Sequence, residues 1–226
     1  MLSSVTNLRA AIFDMDGTLV DNMKYHVAAW IELFRDEGLA VTVEDYYQSG
    51  VGGAAEDVVR QFLGNDLPDA QVKTLVAQKE FLYRYLIRRE IKPIRGLRRF
   101  LAEGRNAGIP MAVATAAGKK NTDFILSSLG VQAFFSVVVT AADVRRGKPE
   151  PDMFLEAAER LGVSPRECLV FEDSYAGLEA AKRAGMRAVA VATTHALDEL
   201  AQVPGVCSAV ENYQANFLPQ MIQELG

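Results

Sequence analysis

The stretch Ile12-Phe13-Asp14-Met15-Asp16-Gly17-Thr18-Leu19-Val20-Asp21 decides how the rest of the chain is read. It continues an apolar run from Leu8 that holds neither Gly nor Pro, so 8–13 is expected to be a short buried strand ending at Asp14. Asp14 and Asp16 then stand two apart at the carboxyl end of that strand. If the extended backbone persists to Asp16, both carboxylates leave from the same side, because strand side chains alternate with period two. Gly17 lets the chain turn. Like charges held this close repel unless a cation binds or a proton stays on, which is the profile of a metal or acid-base site.

Beyond this stretch the texture is helical to about Arg89. Val27, Trp30, Ile31 and Phe34 recur at i, i+3, i+4 and i+7, the pattern of an amphipathic helix closed by Gly38. Further helices are expected at 43–49, 54–63 and 68–89, the last with Pro68 in its first turn, and the break Gly50-Val51-Gly52-Gly53 falls among them. From Pro93 onward helix and strand alternate. Helices at 96–107, 119–129, 151–161 and 174–184 lead to strands at 110–115, 136–140, 168–171 and 187–191, and a last strand and a terminal helix follow 205. The strands are apolar throughout, as parallel strands covered on both faces are. The expected fold is therefore α/β: a doubly wound, Rossmann-like parallel sheet. The first strand lacks a βα partner of its own and must join the later ones. The helices then form an inserted all-α cap of 22–90, on a catalytic core of 1–21 and 91–226, with a hinge at Asp21-Asn22.

The 226 residues are half apolar and carry a formal net charge of -5, which excludes a broad nucleic-acid or anionic-membrane surface. Two cysteines, Cys168 and Cys207, imply no disulfide framework. No apolar run approaches the roughly 18 residues of a membrane span, and Met1-Leu2-Ser3-Ser4 does not begin like a signal peptide. A cytoplasmic protein is expected, with no nucleic-acid or membrane partner and with a monomer as the simplest state.

Ligands of open α/β sheets bind beyond the carboxyl ends of the strands. At those ends stand Asp14 and Asp16, Thr115, the loop residue Lys148 and the pair Glu172-Asp173. Four carboxylates, a hydroxyl and an ammonium suit Mg²⁺ and a phosphate. Each residue also has a plain structural alternative. Asp14 and Asp16 suit a turn, Thr115 the start of a helix at Ala116-Ala117-Gly118, Lys148 a solvated side chain, and Asp173 the cap of a helix beginning near Ser174. Four such accidents at successive strand ends are harder to accept than one site.

Asp14-Met15-Asp16-Gly17-Thr18, Thr115, Lys148-Pro149-Glu150-Pro151-Asp152 and Phe171-Glu172-Asp173-Ser174 resemble, in order, the four motifs of the haloacid dehalogenase superfamily. The likeness spans nearly the whole chain and is closest to the branch of β-phosphoglucomutase and small sugar-phosphate phosphatases. It implies that Asp14 attacks phosphorus to form an aspartyl-phosphate and that Asp16 is the general acid and base. It also implies that Thr115, Ala116 and Lys148 hold the phosphoryl oxygens. Mg²⁺ would be ligated by Asp14, Asp173 and the main-chain carbonyl of Asp16, with Glu172 beside it. Superfamily members that cleave carbon-halogen bonds lack the second aspartate, so Asp16 implies phosphate chemistry.

In the cap, His26 and Trp30 resemble a His and a Trp on the first cap helix of β-phosphoglucomutase. Lys79 resembles a substrate-facing basic residue of that cap, its plain alternative being a solvated lysine. Where the mutase has an arginine that grips a distal phosphate, this chain has Gly52-Gly53-Ala54, which offers only backbone N–H groups. Hydrolysis of a small phosphorylated substrate is thus favoured over isomerisation by a phosphomutase. A non-enzymatic phospho-receiver, the third alternative, would carry its phosphorylated aspartate later in the chain and would have no large helical insertion.

Overall fold

The computed structural model describes residues 8–49 and 54–214. The chain forms two compact units, one from the segments ending at Asp21 and starting at Lys92, the other from Asn22–Ile91. β1 (Ala10–Phe13) opens the first unit, and α1 (Met23–Asp36), α2 (Val43–Gln48), α3 (Ala55–Leu63) and α4 (Asp69–Ile87) make up the second. The first unit resumes with α5 (Leu97–Asn106), β2 (Met111–Ala114), α6 (Lys119–Leu129), β3 (Val137–Val139) and α7 (Asp152–Leu161). It closes with β4 (Cys168–Glu172), α8 (Tyr175–Arg183), β5 (Arg187–Val191), the short α9 (Leu197–Leu200) and β6 (Val206–Val210).

The six strands pair in the order β3-β2-β1-β4-β5-β6, all parallel. β1 is central because it is apolar on both sides. Ala10 and Ile12 join the core built with Phe154 of α7 and Val170 of β4. Phe13 stacks on Phe171 at 4.5 Å between ring centres and meets the edge of Phe100 at 6.2 Å. A fully buried Phe contributes about 1.5–3 kcal/mol by leaving water, so the aromatic layer anchors the strand that ends in Asp14. The connection from β1 leads to β2 on one side and that from β4 to β5 on the other, so the β1/β4 boundary is the switch point at which such sheets bind ligands.

The helical unit has its own core of Trp30, Leu33 and Phe34 from α1, Val58 and Val59 from α3, and Val72 and Leu75 from α4. Thr42 and Asp45 close a reciprocal capping box on α2. Pro68 is the residue before α4 rather than part of its first turn, and α9 was not anticipated. The terminal helix expected after β6 lies outside the described residues, among which no helix is long and apolar enough to cross a membrane.

Candidate active site

The β1/β4 ladder pairs Phe13 with Phe171, and Asp14 N–H donates to Phe171 O at 2.9 Å, which sets Asp14 opposite Glu172 at the carboxyl edge. There the chain leaves the sheet. Leu19 N–H turns back to Met15 O and Gly17 N–H to Val20 O, both at 2.8 Å. The condition set for the two carboxylates to share a side is not met as a strand: β1 stops at Phe13, and Asp16 forms only an isolated parallel bridge with Val20 before the turn at Gly17. Asp14 is buried and Asp16 half-buried.

Gly17 is required twice over. Its φ of +81° is left-handed, and an added Cβ would strike the Asp173 carboxylate. Gly17→Ala is expected to lower stability by about 1–3 kcal/mol and to weaken Mg²⁺ binding by displacing Asp173. Thermal melts with and without Mg²⁺ check this, the variant being expected to gain less from the ion than the parent chain.

Lys148 is 8% exposed along its side chain, and its Nζ donates to Asp14 Oδ1 at 2.6 Å and Glu172 Oε2 at 2.7 Å. The solvated alternative for Lys148 is thus wrong. Glu172 Oε1 accepts from Asp173 N–H, Ser174 N–H and Ser174 Oγ at 3.2, 3.0 and 2.7 Å, so both its oxygens are engaged. Ser174, not Asp173, caps α8, accepting from Gly177 N–H at 3.0 Å. Asp173 is left to face Asp14. Thr115 is 1% exposed, and its Oγ1 accepts from Ala117 N–H at 3.1 Å. Gly118 rather than Thr115 is the cap of α6, and a hydroxyl that accepts in this way can still donate its proton. Ala116, in that turn, is exposed.

Asp14, Glu172 and Asp173 each offer an oxygen within 4.8 Å of the others. Burial raises the Asp14 pKa well above the carboxylate range, against the attraction of Lys148, with Glu172, Asp173 and Asp16 raising it further. Burial, then the Glu172 charge, pushes Asp173 up to about 8. Burial opposes the Lys148 ammonium, but Asp14 and Glu172 outweigh it and raise its pKa. Once ionised, the three buried carboxylates outnumber the ammonium between them, so a further cation is needed to hold them charged, and all the donors are hard oxygens. That set fits Mg²⁺, with Asp14 and Asp173 as the residues to hold it and Glu172 beside them.

The raised Asp173 pKa has a sign. Between its ordinary value of 3.8 and about 8 the folded chain holds a proton that the unfolded chain has lost. Stability without metal should therefore fall as pH rises through this window. Melting temperatures from pH 5 to 9 are expected to decline in EDTA and to decline less in Mg²⁺, because metal binding displaces that proton.

Within the helical unit, α1 and α4 bring together His26, Trp30 and Lys79. Lys79 is 4% exposed, correcting the solvated alternative. Its Nζ lies 2.9 Å from His26 Nδ1, 2.9 Å from Glu80 Oε1 and 4.9 Å from the centre of the Trp30 ring. An ammonium only donates, so His26 Nδ1 accepts and the ring proton of a neutral His26 is on Nε2. The His26 ring stacks on Tyr83 at 3.8 Å, and the Tyr83 hydroxyl accepts from Asn22 Nδ2. Gly52 and Gly53 lie outside the described residues.

Three residues around the carboxylates were missed in the sequence. Thr193 and Thr194 follow β5, and their hydroxyls donate to Gly17 O and Asp173 Oδ2. The strand-end rule could have found them, since they too stand at a carboxyl end. Tyr213 gave no signal. Its buried hydroxyl donates to Thr18 O at 3.1 Å, and its pKa is raised by burial and by the charges of Asp14, Asp173 and Glu172.

A family model described as haloacid dehalogenase-like hydrolase matches residues 8–185. The chloroplastic 5-amino-6-(5-phospho-D-ribitylamino)uracil phosphatase of Arabidopsis thaliana is 32% identical over 191 residues, 84% of this chain but 51% of that protein. The chain thus spans about half the length of that relative. Fructose-1-phosphate phosphatase YqaB of Escherichia coli (strain K12) is 32% identical over 180 residues, 80% of this chain and 94% of that one. Among solved structures, a family IA, variant 3 HAD hydrolase from Entamoeba histolytica superposes with a TM-score of 0.87 at 26% identity, covering 96% of this chain and 98% of that one.

Proposed function

The chain belongs to the haloacid dehalogenase-like hydrolases, and we propose that it is a Mg²⁺-dependent phosphatase of a small phosphorylated metabolite, a sugar phosphate, acting through an aspartyl-phosphate on Asp14. The observation that carries this is the Lys148 ammonium bridging Asp14 and Glu172 beside Asp173. A lone carboxylate repels a phosphate by about 4 kcal/mol at 4 Å and an effective dielectric near 20. This carboxylate has an ammonium against it and oxygen ligands for a divalent ion around it. Mg²⁺, when bound, adds positive charge that offsets the repulsion and the charge on the phosphoryl oxygens.

In the first step an Asp14 oxygen attacks phosphorus, the bond from phosphorus to the sugar oxygen breaks, and Asp16 gives that oxygen its proton. In the second, Asp16 takes a proton from water, whose oxygen attacks the same phosphorus and releases phosphate and the free Asp14 carboxylate. Lys148 and the Thr115 hydroxyl hold the phosphoryl oxygens as charge develops on them. The phosphatase activities named for two of its relatives agree with hydrolysis. His26, Trp30 and Lys79 are the cap residues proposed to act in substrate choice.

A panel of sugar phosphates tests this directly. Phosphate release that requires Mg²⁺ is expected from at least one member, and none from any would overturn the proposal. A β-phosphoglucomutase-type isomerisation is the second reading, favoured by Lys79 being buried against His26 and Trp30. β-Glucose 1-phosphate with a bisphosphate primer separates the two, since a mutase yields glucose 6-phosphate and a phosphatase yields free phosphate.

A further inference from the structure

The two oxygens of Asp173 are held unequally. Oδ2 takes a hydrogen bond from Thr194 Oγ1, whereas Oδ1 takes a long one, 3.4 Å, from Thr18 Oγ1. Thr194 is exposed while Asp173 is 3% exposed, so an exposed residue supplies a hydrogen bond to a buried carboxylate. Its neighbour fixes it there: Thr193 Oγ1 donates to Gly17 O, tying the turn after β5 to the turn after β1. Gly17 makes the space that Asp173 occupies, since a Cβ at that position would strike the carboxylate, Oδ2 first.

We propose that Thr194 is a positioning residue that makes Asp173 a one-oxygen metal ligand and so biases the site toward Mg²⁺ and against Ca²⁺. The proposal rests on the carboxylate cluster being a metal site, as set out above. Mg²⁺ demands near-octahedral geometry at about 2.0–2.1 Å and is met by one or two carboxylates, whereas Ca²⁺ takes about 6–8 oxygens and accepts both oxygens of a single carboxylate. Two-oxygen capture would require Oδ2 to turn toward the ion and to give up the Thr194 hydroxyl. With Thr194 in place, Oδ1 is the oxygen on offer. Removing the hydroxyl frees the carboxylate to rotate, which harms the small rigid ion and helps the large adaptable one.

The test is calorimetric titration of the full chain with Mg²⁺ and separately with Ca²⁺, for the parent chain, Thr194→Val, Thr194→Ala and Thr194→Ser. Hydrogen-bond partners of metal ligands typically alter metal affinity by about 10–100-fold, and the ratio of Mg²⁺ to Ca²⁺ affinity is expected to fall by about 10-fold in the valine and alanine variants and to recover in the serine variant. Thr194 is exposed, so these variants are expected to fold, and the alanine variant serves if valine does not. A ratio within about twofold of the parent's, both ions weakening in parallel, or a serine variant that behaves like valine would overturn the proposal. A parent chain that binds neither ion would instead overturn the reading of the cluster as a metal site, so the two failures are distinct.

Discussion

Replacing Asp14 by asparagine is expected to lower phosphate release by at least about 10³-fold, the scale seen when a covalent nucleophile is removed, and to leave the fold intact. An amide oxygen is a poor nucleophile toward phosphorus, so no covalent intermediate forms and only slow hydrolysis by bound water remains. The amide has nearly the carboxylate's shape, its oxygen can still accept from Lys148, and Lys148 keeps its 2.7 Å bond to Glu172. Burial already holds the Asp14 carboxyl well above the ordinary carboxylate range, so its ionised form is a burden on the fold. A neutral amide removes that burden, and the melting temperature at pH 7–8 without metal should hold or rise. Phosphate assays, with acid quenching and mass measurement to look for a phosphorylated chain, read the first effect, and thermal melts read the second. A variant within about tenfold of the parent's rate would remove Asp14 from the role of nucleophile.

The residues of this site that the sequence revealed are those a strand delivers. Asp14, Thr115 and the Glu172-Asp173 pair follow apolar runs short enough to be buried parallel strands, and parallel strands put all their carboxyl ends on one edge. Lys148 stands on a loop and gains meaning only beside them. What stayed hidden depended on partners far along the chain or on local turns. Lys79 looks like any lysine of a long helix. Its burial comes from His26 and Trp30 on α1, and His26 is 53 residues away in sequence. The direction of Asp16 could not be read from strand alternation, because alternation assumes a strand and β1 ends at Phe13, before the Met15–Leu19 turn. Strand order was also hidden. Apolar runs announce parallel strands but not which two flank β1, and it is β4 at its side that brings Glu172 and Asp173 to Asp14.

Lys148→Met is expected to be the most damaging single change, because it acts on the reaction and on the fold together. The ammonium is held by hydrogen bonds between Asp14 and Glu172. On the proposed mechanism, its loss takes a charged donor from the phosphoryl oxygens, a loss of about 10²–10³ in kcat for one well-placed donor. The fold loses the partner of buried carboxylates, and breaking such a pair from one side costs about 3–5 kcal/mol. That cost is not constant with pH. Lys148 lowers the pKa of both Asp14 and Asp173, so removing it raises them further, and the carboxyls escape the penalty by taking up protons. The variant should therefore be destabilised least at pH 5 and most above pH 8, with a steeper decline of melting temperature than the parent chain shows. Lys148→Arg separates the two effects. It restores the charge, so much of the stability at high pH should return. But a flat guanidinium fork cannot replace a compact ammonium that reaches Asp14 at 2.6 Å and Glu172 at 2.7 Å from one nitrogen. Its turnover should stay close to that of the methionine variant, and an arginine variant with near-parental kcat would mean that charge alone, not the position of a single nitrogen, is what the reaction uses.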